Sequence, residues 1–151
     1  MITQKEWTDI HENLSNPRGH VEIEVSGVGM VSFLVTRIRP LSFQIMSYVN
    51  GSFKWVWMNA KTQSVERDIC ARKIVRKLFP PTKRKALKKI KGSGLSEKMF
   101  AMYSPLWPTP GGLIRHLKKV AATRDCRLIR VGYNTVNTPK FIDPPQPAAA
   151  G

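Results

Sequence analysis

The chain has 151 residues, 42% of them hydrophobic, and a formal net charge of +15. The length suits one domain of ordinary size, and the hydrophobic share is too high for global disorder. No apolar run approaches the roughly 18 residues that span a bilayer, and the polar, acidic start MITQKEWTDIHENL lacks the pattern of a secretion signal.

These features lead us to expect a protein that stays in the cytoplasm. Cysteine usage agrees, since Cys70 and Cys126 lie far apart without CxxC or Cys/His spacing and read as small apolar residues of a reducing compartment. His11, His20 and His116 are scattered and supply no paired zinc ligands, so no metal or other cofactor is expected.

Taken in chain order, residues 4–14 are predicted as a short helix with Trp7 and Ile10 on one side. Val21, Ile23 and Val25 then alternate with Glu22 and Glu24, the period-two signature of a half-buried strand. Ser26 to Gly29 form a turn, and residues 30–39 a second, β-branched strand stopped by Pro40. SFQIMSYV and SFKWVWM flank Asn50-Gly51, the dipeptide best suited to a type I′ hairpin. A two-residue loop there opposes Tyr48 to Phe53, Met46 to Trp55 and Gln44 to Trp57. On the other face it opposes Val49 to Ser52, Ile45 to Val56 and Phe43 to Met58.

The second half reads as helical. Cys70, Ala71, Ile74, Val75, Leu78 and Phe79 fall on one helical arc, with Arg72, Lys73, Arg76 and Lys77 opposite. Pro80-Pro81 end that helix. Thr82 then caps a shorter one running through Lys91, with Gly92 as its stop. Ser96 caps a third segment through Tyr103. Thr109-Pro110 marks a further helix start, with Leu113, Ile114, Leu117, Val120 and Ala121 on its buried side. CRLIRV at 126–131 is a short strand. The sequence therefore predicts an α+β fold, a four-stranded antiparallel meander plus a short C-terminal strand, packed by two or three helices. Residues 1–133 form the domain, and 134–151, with four prolines, a disordered Pro/Ala-rich tail.

The charge is unevenly spread. Residues 1–26 carry two bases and five acids, whereas Ile69 to Ser96 hold ten Lys/Arg and no Asp or Glu. A charge run is commonly a solvated face, but this one lacks acids to offset its own repulsion, which points to an external polyanion. The candidate nucleic-acid-binding residues are Arg72, Lys73, Arg76 and Lys77 on one helix and Lys83, Arg84, Lys85, Lys88, Lys89 and Lys91 around the next. Clustered cations neutralise successive phosphates and release condensed counterions. Ala86, Leu87 and Ile90 make too narrow an apolar stripe for a membrane helix, and no membrane partner is expected.

A second candidate surface is the aromatic set Tyr48, Phe53, Trp55 and Trp57, which could stack unpaired bases if exposed. Aromatics on strand faces more often pack under helices. Catalysis is not expected. The carboxylates Glu22, Glu24, Glu66, Asp68 and Asp125 are too thinly spread for a metal-dependent nuclease, and no glycine-rich phosphate loop, HExxH or nucleophile elbow is present. No small-molecule substrate is implied.

Three segments, YVNGSFKWVW (48–57), the run from Glu66, and YSPLWPTPGGLIRHLKK (103–119), together resemble a group of small basic proteins encoded by bacteriophages. Tyr48, Gly51, Lys54 and Trp57 carry the first motif, and Glu66 and Arg67 the second. Tyr103, Pro105, Trp107, Leu113, Arg115, His116 and Leu117 carry the third. Asp68, Ile69 and Cys70 depart from the arginine run that follows the Glu in that group. The resemblance implies a phage gene expressed in a bacterial cytoplasm and brings no activity with it. The expectation is thus a non-catalytic nucleic-acid-binding protein of low sequence specificity, for DNA or RNA. The rival is a phage-encoded modulator that binds an acidic surface of a host protein.

Overall fold

The computed structural model describes residues 1–90, 94–133 and 140–142. Its helices are α1 (Gln4–Leu14), α2 (Val65–Cys70), α3 (Pro81–Lys88) and α4 (Pro110–Thr123). Its strands are β1 (Gly19–Val25), β2 (Gly29–Arg39), β3 (Ser42–Val49), β4 (Ser52–Lys54), β5 (Arg72–Lys77), β6 (Met99–Ser104), β7 (Leu106–Trp107), β8 (Cys126–Tyr133) and β9 (Lys140–Ile142). The fold is α+β. β1 to β4 form an antiparallel meander and β8 pairs antiparallel with the outer edge of β1, in the order β8-β1-β2-β3-β4-β9.

Alternation builds the core. Val21, Ile23 and Val25 on β1 are buried, and Val21 and Ile23 register with Phe33 and Val31 on β2. These in turn oppose Ser47 and Val49 on β3. α1 packs on β1, β2 and β8, while α2 packs on β3 and on α4. α1 starts with a capping box, the Thr3 hydroxyl accepting from the Glu6 N–H and the Glu6 carboxylate from the Thr3 N–H. Thr109 caps α4 by accepting from the Gly112 N–H, ahead of Pro110, as the Thr-Pro pair predicts. Full burial of side chains such as Phe33, Ile10 and Leu113 contributes about 1.5–3 kcal/mol each.

The Asn50-Gly51 hairpin forms with positive φ at both residues, 50° and 82°. Val49 pairs with Ser52 as expected, but the longer register does not continue. β4 stops at Lys54 and Trp55–Met58 coil into a 3-10 turn. The edge of β3 is taken instead by β7, which pairs Ile45 with Trp107 and Met46 with Leu106. The expected pairs of Met46 with Trp55 and Ile45 with Val56 are therefore replaced, and those of Gln44 with Trp57 and Phe43 with Met58 do not form. A second segment competing for the same backbone donors and acceptors displaced them.

The larger correction concerns residues 65–104. The expected helix through Phe79 ends at Cys70, and Arg72–Lys77 continue as strand β5. The expected helix from Ser96 to Tyr103 is a short 3-10 turn at Leu95–Glu97 followed by strand β6. β5 and β6 pair antiparallel from Arg72↔Ser104 to Lys77↔Met99, as a two-stranded sheet of their own. Ile74 and Val75 are β-branched and pack well on a pleated ribbon, and the ladder to β6 satisfies their backbone. α3 is shorter than expected, Pro81–Lys88, and buries none of its residues. Three residues of the expected C-terminal tail, Lys140–Ile142, run as a strand parallel to β4; the rest of that tail lies outside the described residues.

Candidate nucleic-acid interface

The β5–β6 ribbon, with α3 and the 3-10 turn at Leu95–Glu97 lying between its strands in sequence, forms an arm whose described residues are 72–90 and 94–104 of the stretch 72–104. Eleven Lys/Arg fall in this stretch against one acid, Glu97. Glu97 is already engaged, 3.2 Å from Lys77 Nζ. The remaining cations are not arranged as an amphipathic helix would arrange them. On the ribbon Arg72 and Arg76 belong to one face and Lys73 and Lys77 to the other, since successive strand side chains alternate. Lys73, Arg76 and Lys77 are exposed and Arg72 half-buried. On α3, Lys83, Lys85 and Lys88 are exposed and Arg84 half-buried, and Lys89 is exposed just beyond the helix. Lys91 lies outside the described residues. Apolar side chains stand among these cations, with Val75, Leu78, Met99 and Phe100 all exposed.

The second candidate surface is mostly core, as aromatics on strand faces more often are. Tyr48, Phe53 and Trp57 are buried, and Phe53 meets Trp57 edge-on with ring centres 5.3 Å apart. They fill the core and cannot stack bases. The reason is the 3-10 turn, which folds Trp57 inward rather than extending it along a strand. Of the four aromatics only Trp55 is exposed, at 37%. Among the candidate carboxylates, Glu24 accepts from Arg127 across the β1–β8 pair. No group of three or more His, Cys, Asp or Glu is placed to hold a metal ion among the described residues.

The base of the arm is held by a polar hub at the C-terminus of α2. A helix end leaves carbonyls without partners, and here side chains from three other elements supply donors. Trp107 Nε1 donates to the Cys70 carbonyl at 3.0 Å, and the Ser47 hydroxyl lies within hydrogen-bonding reach of the same oxygen. His116 Nε2 is 3.0 Å from the Ile69 carbonyl. A carbonyl can only accept, so Nε2 carries the proton. Burial holds the His116 pKa below 6.5 against the opposing effect of that bond. Burial likewise pushes the Cys70 thiol up to about 12. Arg67 is buried as well, donating to the Asn59 carbonyl at 3.2 Å, to the Thr62 carbonyl and to Asp68.

Tyr103, Trp107 and His116, which carry the third motif of the resemblance, are thus brought together with Arg67 as the joint of the arm. Comparison with protein-family models, curated proteins and solved structures finds no match to this chain. No helix among the described residues is long and apolar enough to cross a membrane. Arg115 and Lys119 of α4, absent from the candidate phosphate-binding residues of the sequence, lie beside Arg72 and Lys73 at this joint. Their spacing of four, on the helix that follows the basic stretch, was the available signal.

Proposed function

We propose that this protein binds nucleic acid without catalysing a reaction, laying its basic arm along a phosphate backbone. The carrying observation is the arm itself, eleven cations against one acid that is already paired with Lys77. α3 adds to the argument. It has no acidic residue in its first turn, carries Lys83 there, and has no fully buried residue. Cations at a helix N-terminus oppose the helix dipole, so a bound polyanion would stabilise this element where its own sequence does not. Tyr48, Phe53 and Trp57 lie in the core and offer no surface for stacking unpaired bases. Contacts to phosphates position a protein without reading sequence, so affinity should be similar across sequences. The resemblance to phage-encoded proteins supports a bacterial cytoplasm as the setting.

A second reading has its own observation. The exposed Val75, Leu78, Met99 and Phe100 among the cations also suit an acidic host-protein surface with an apolar centre.

The test is fluorescence anisotropy of labelled duplex and single-stranded oligonucleotides across a salt series. Log affinity should fall linearly with log salt, by about 0.9 per phosphate neutralised on duplex and about 0.7 on single strands. Replacing Lys83, Arg84, Lys85, Lys88 and Lys89 by Gln keeps helix propensity and should weaken binding to all sequences alike, with a shallower slope. Replacing Lys5 and Arg18 should change little. If the quintuple variant folds and binds as the parent does, the arm is not the interface. If the parent fails to bind at physiological salt, the acidic-protein reading takes first place.

A further inference from the structure

A cleft of about 460 Å3 opens where the arm joins the body, between the α2–β5 junction, Tyr103, Trp107 and the first turns of α4. Four cations line it: Arg72 and Lys73 from the ribbon, Arg115 and Lys119 from α4. The carboxylate on its wall, Asp68, is engaged by Arg67, whose Nη2 lies 2.9 Å from Asp68 Oδ1. Trp107 and His116 meet at a tilt of 39° with ring centres 4.9 Å apart and direct their N–H groups to the Cys70 and Ile69 carbonyls. They shape the wall and leave the cations to meet a ligand. Gly112 lines the cleft without a side chain, and a Cβ there would come within 4.0 Å of an Arg115 terminal nitrogen. The Arg115 guanidinium therefore lies over the first turn of α4. Arg72 is half-buried and its Nε donates to the Leu106 carbonyl at 3.4 Å, which holds it at the cleft.

We infer that this cleft binds a phosphate group, gripped by Arg72 and Arg115 with Lys73 and Lys119 adding charge. Guanidinium forks match the paired oxygens of a tetrahedral phosphate, whereas lysine ammonium acts as a point charge. Four like charges around one small volume repel one another until an anion enters. The choice of a backbone phosphate as the natural source rests on the nucleic-acid reading, since the cleft continues the basic arm at its root. The same chemistry would also hold free phosphate. The cleft is separable from α3, so each can be removed alone.

The experiment is two-dimensional 1H–15N NMR on the full chain, titrated separately with inorganic phosphate and with a short thymidine oligonucleotide. Three proteins are compared: the parent, the α3 variant with five glutamines, and R115Q/K119Q. Arg115 and Lys119 are exposed, so the last should fold; R115K/K119R serves as its charge-preserving partner. Inorganic phosphate should shift the Gly111, Gly112 and Arg115 amides saturably in the parent and the α3 variant. R115Q/K119Q should bind at least about tenfold more weakly, since each charged hydrogen bond removed is worth that much, and R115K/K119R, which keeps both charges but lacks the fork at position 115, should recover only part of the binding. Unsaturable shifts spread over the lysines, or an unchanged response in R115Q/K119Q, would overturn the inference. Oligonucleotide shifts at the same amides identify the backbone as the source. Phosphate binding with no oligonucleotide binding anywhere keeps the cleft and removes the nucleic-acid reading. Oligonucleotide binding on α3 with a silent cleft does the reverse.

Discussion

The guanidinium carbon of Arg67 lies 3.9 Å from the centre of the Tyr103 ring, so the buried arginine of α2 is stacked on β6 near the root of the arm. The same guanidinium donates to the Asn59 and Thr62 carbonyls and to Asp68. One planar fork thus ties the 59–62 loop, α2 and β6 together. Arg67→Lys keeps the charge but supplies neither the fork nor the stacking plane. We expect it to destabilise the protein by about 2 kcal/mol, from the loss of two or more hydrogen bonds to a charged group in a buried site. Urea denaturation would measure this, and a loss within 0.5 kcal/mol of zero, roughly the scatter of neutral surface changes, would show that the joint does not depend on the fork.

Asn50 holds two turns at once. Its Oδ1 accepts from the Met30 N–H at 3.0 Å, and its Nδ2 donates to the Val28 carbonyl at 3.3 Å, pinning the β3–β4 hairpin to the β1–β2 turn. On hairpin geometry alone Asn50→Gly should be mild. With these bonds in place we expect it to cost about 1–2 kcal/mol. Gly51, at φ 82° with open space around it, should tolerate Val poorly because of backbone strain, losing more than about 1 kcal/mol. Asn50→Asp keeps the acceptor and loses the donor, and should fall between wild type and Asn50→Gly. Equal tolerance of all three changes in thermal melts would mean that neither feature matters.

His116 should make stability pH-dependent. Its pKa is lowered in the folded protein, chiefly by burial, so the unfolded chain binds the proton more readily. The contribution is fully present above the unfolded value near 6.5 and is lost as pH falls toward the lower folded value. We expect the parent to lose stability between about pH 7 and pH 5, and His116→Gln, which can still donate to the Ile69 carbonyl, to lose less. Parallel pH–stability curves for the two proteins would refute this.

Cys70 is fully buried and its thiol is held near 12. Thiolate is the reactive form, so Cys70 should resist a disulfide-exchange reagent at pH 8 in the native state and react promptly once denatured. Peptide mapping after labelling would assign the reaction to Cys70 or Cys126. Prompt native labelling of Cys70 would show that the α2 hub opens readily.

The elements legible in the sequence are those whose signals are local. Thr109-Pro110 starts α4 because a capping hydroxyl and a fixed φ act within one turn. Asn50-Gly51 turns the hairpin because both residues tolerate positive φ. Val21, Ile23 and Val25 declare a strand by strict alternation. The basic stretch was equally visible, and its cations from Lys83 to Lys89 do sit on or beside a short helix. The hidden features are contacts over distance. Nothing near Trp55 announces that Leu106 and Trp107 will claim the edge of β3.

The chain's own chemistry settles where charge accumulates, which segments turn, and that an antiparallel meander with helices forms, because propensity and period operate between near neighbours. It leaves Arg72–Lys77 undecided. Ile74 and Val75 fit a helical arc with Cys70 and Ala71, and fit a ribbon equally well. Only pairing with Met99–Ser104, more than twenty residues later in sequence, chooses the strand. That choice moves Arg72 and Lys73 off a helix face and brings them to one cleft with Arg115 and Lys119. The physical reason is that backbone hydrogen bonds in a sheet are made between segments, so their partners cannot be read from either segment alone.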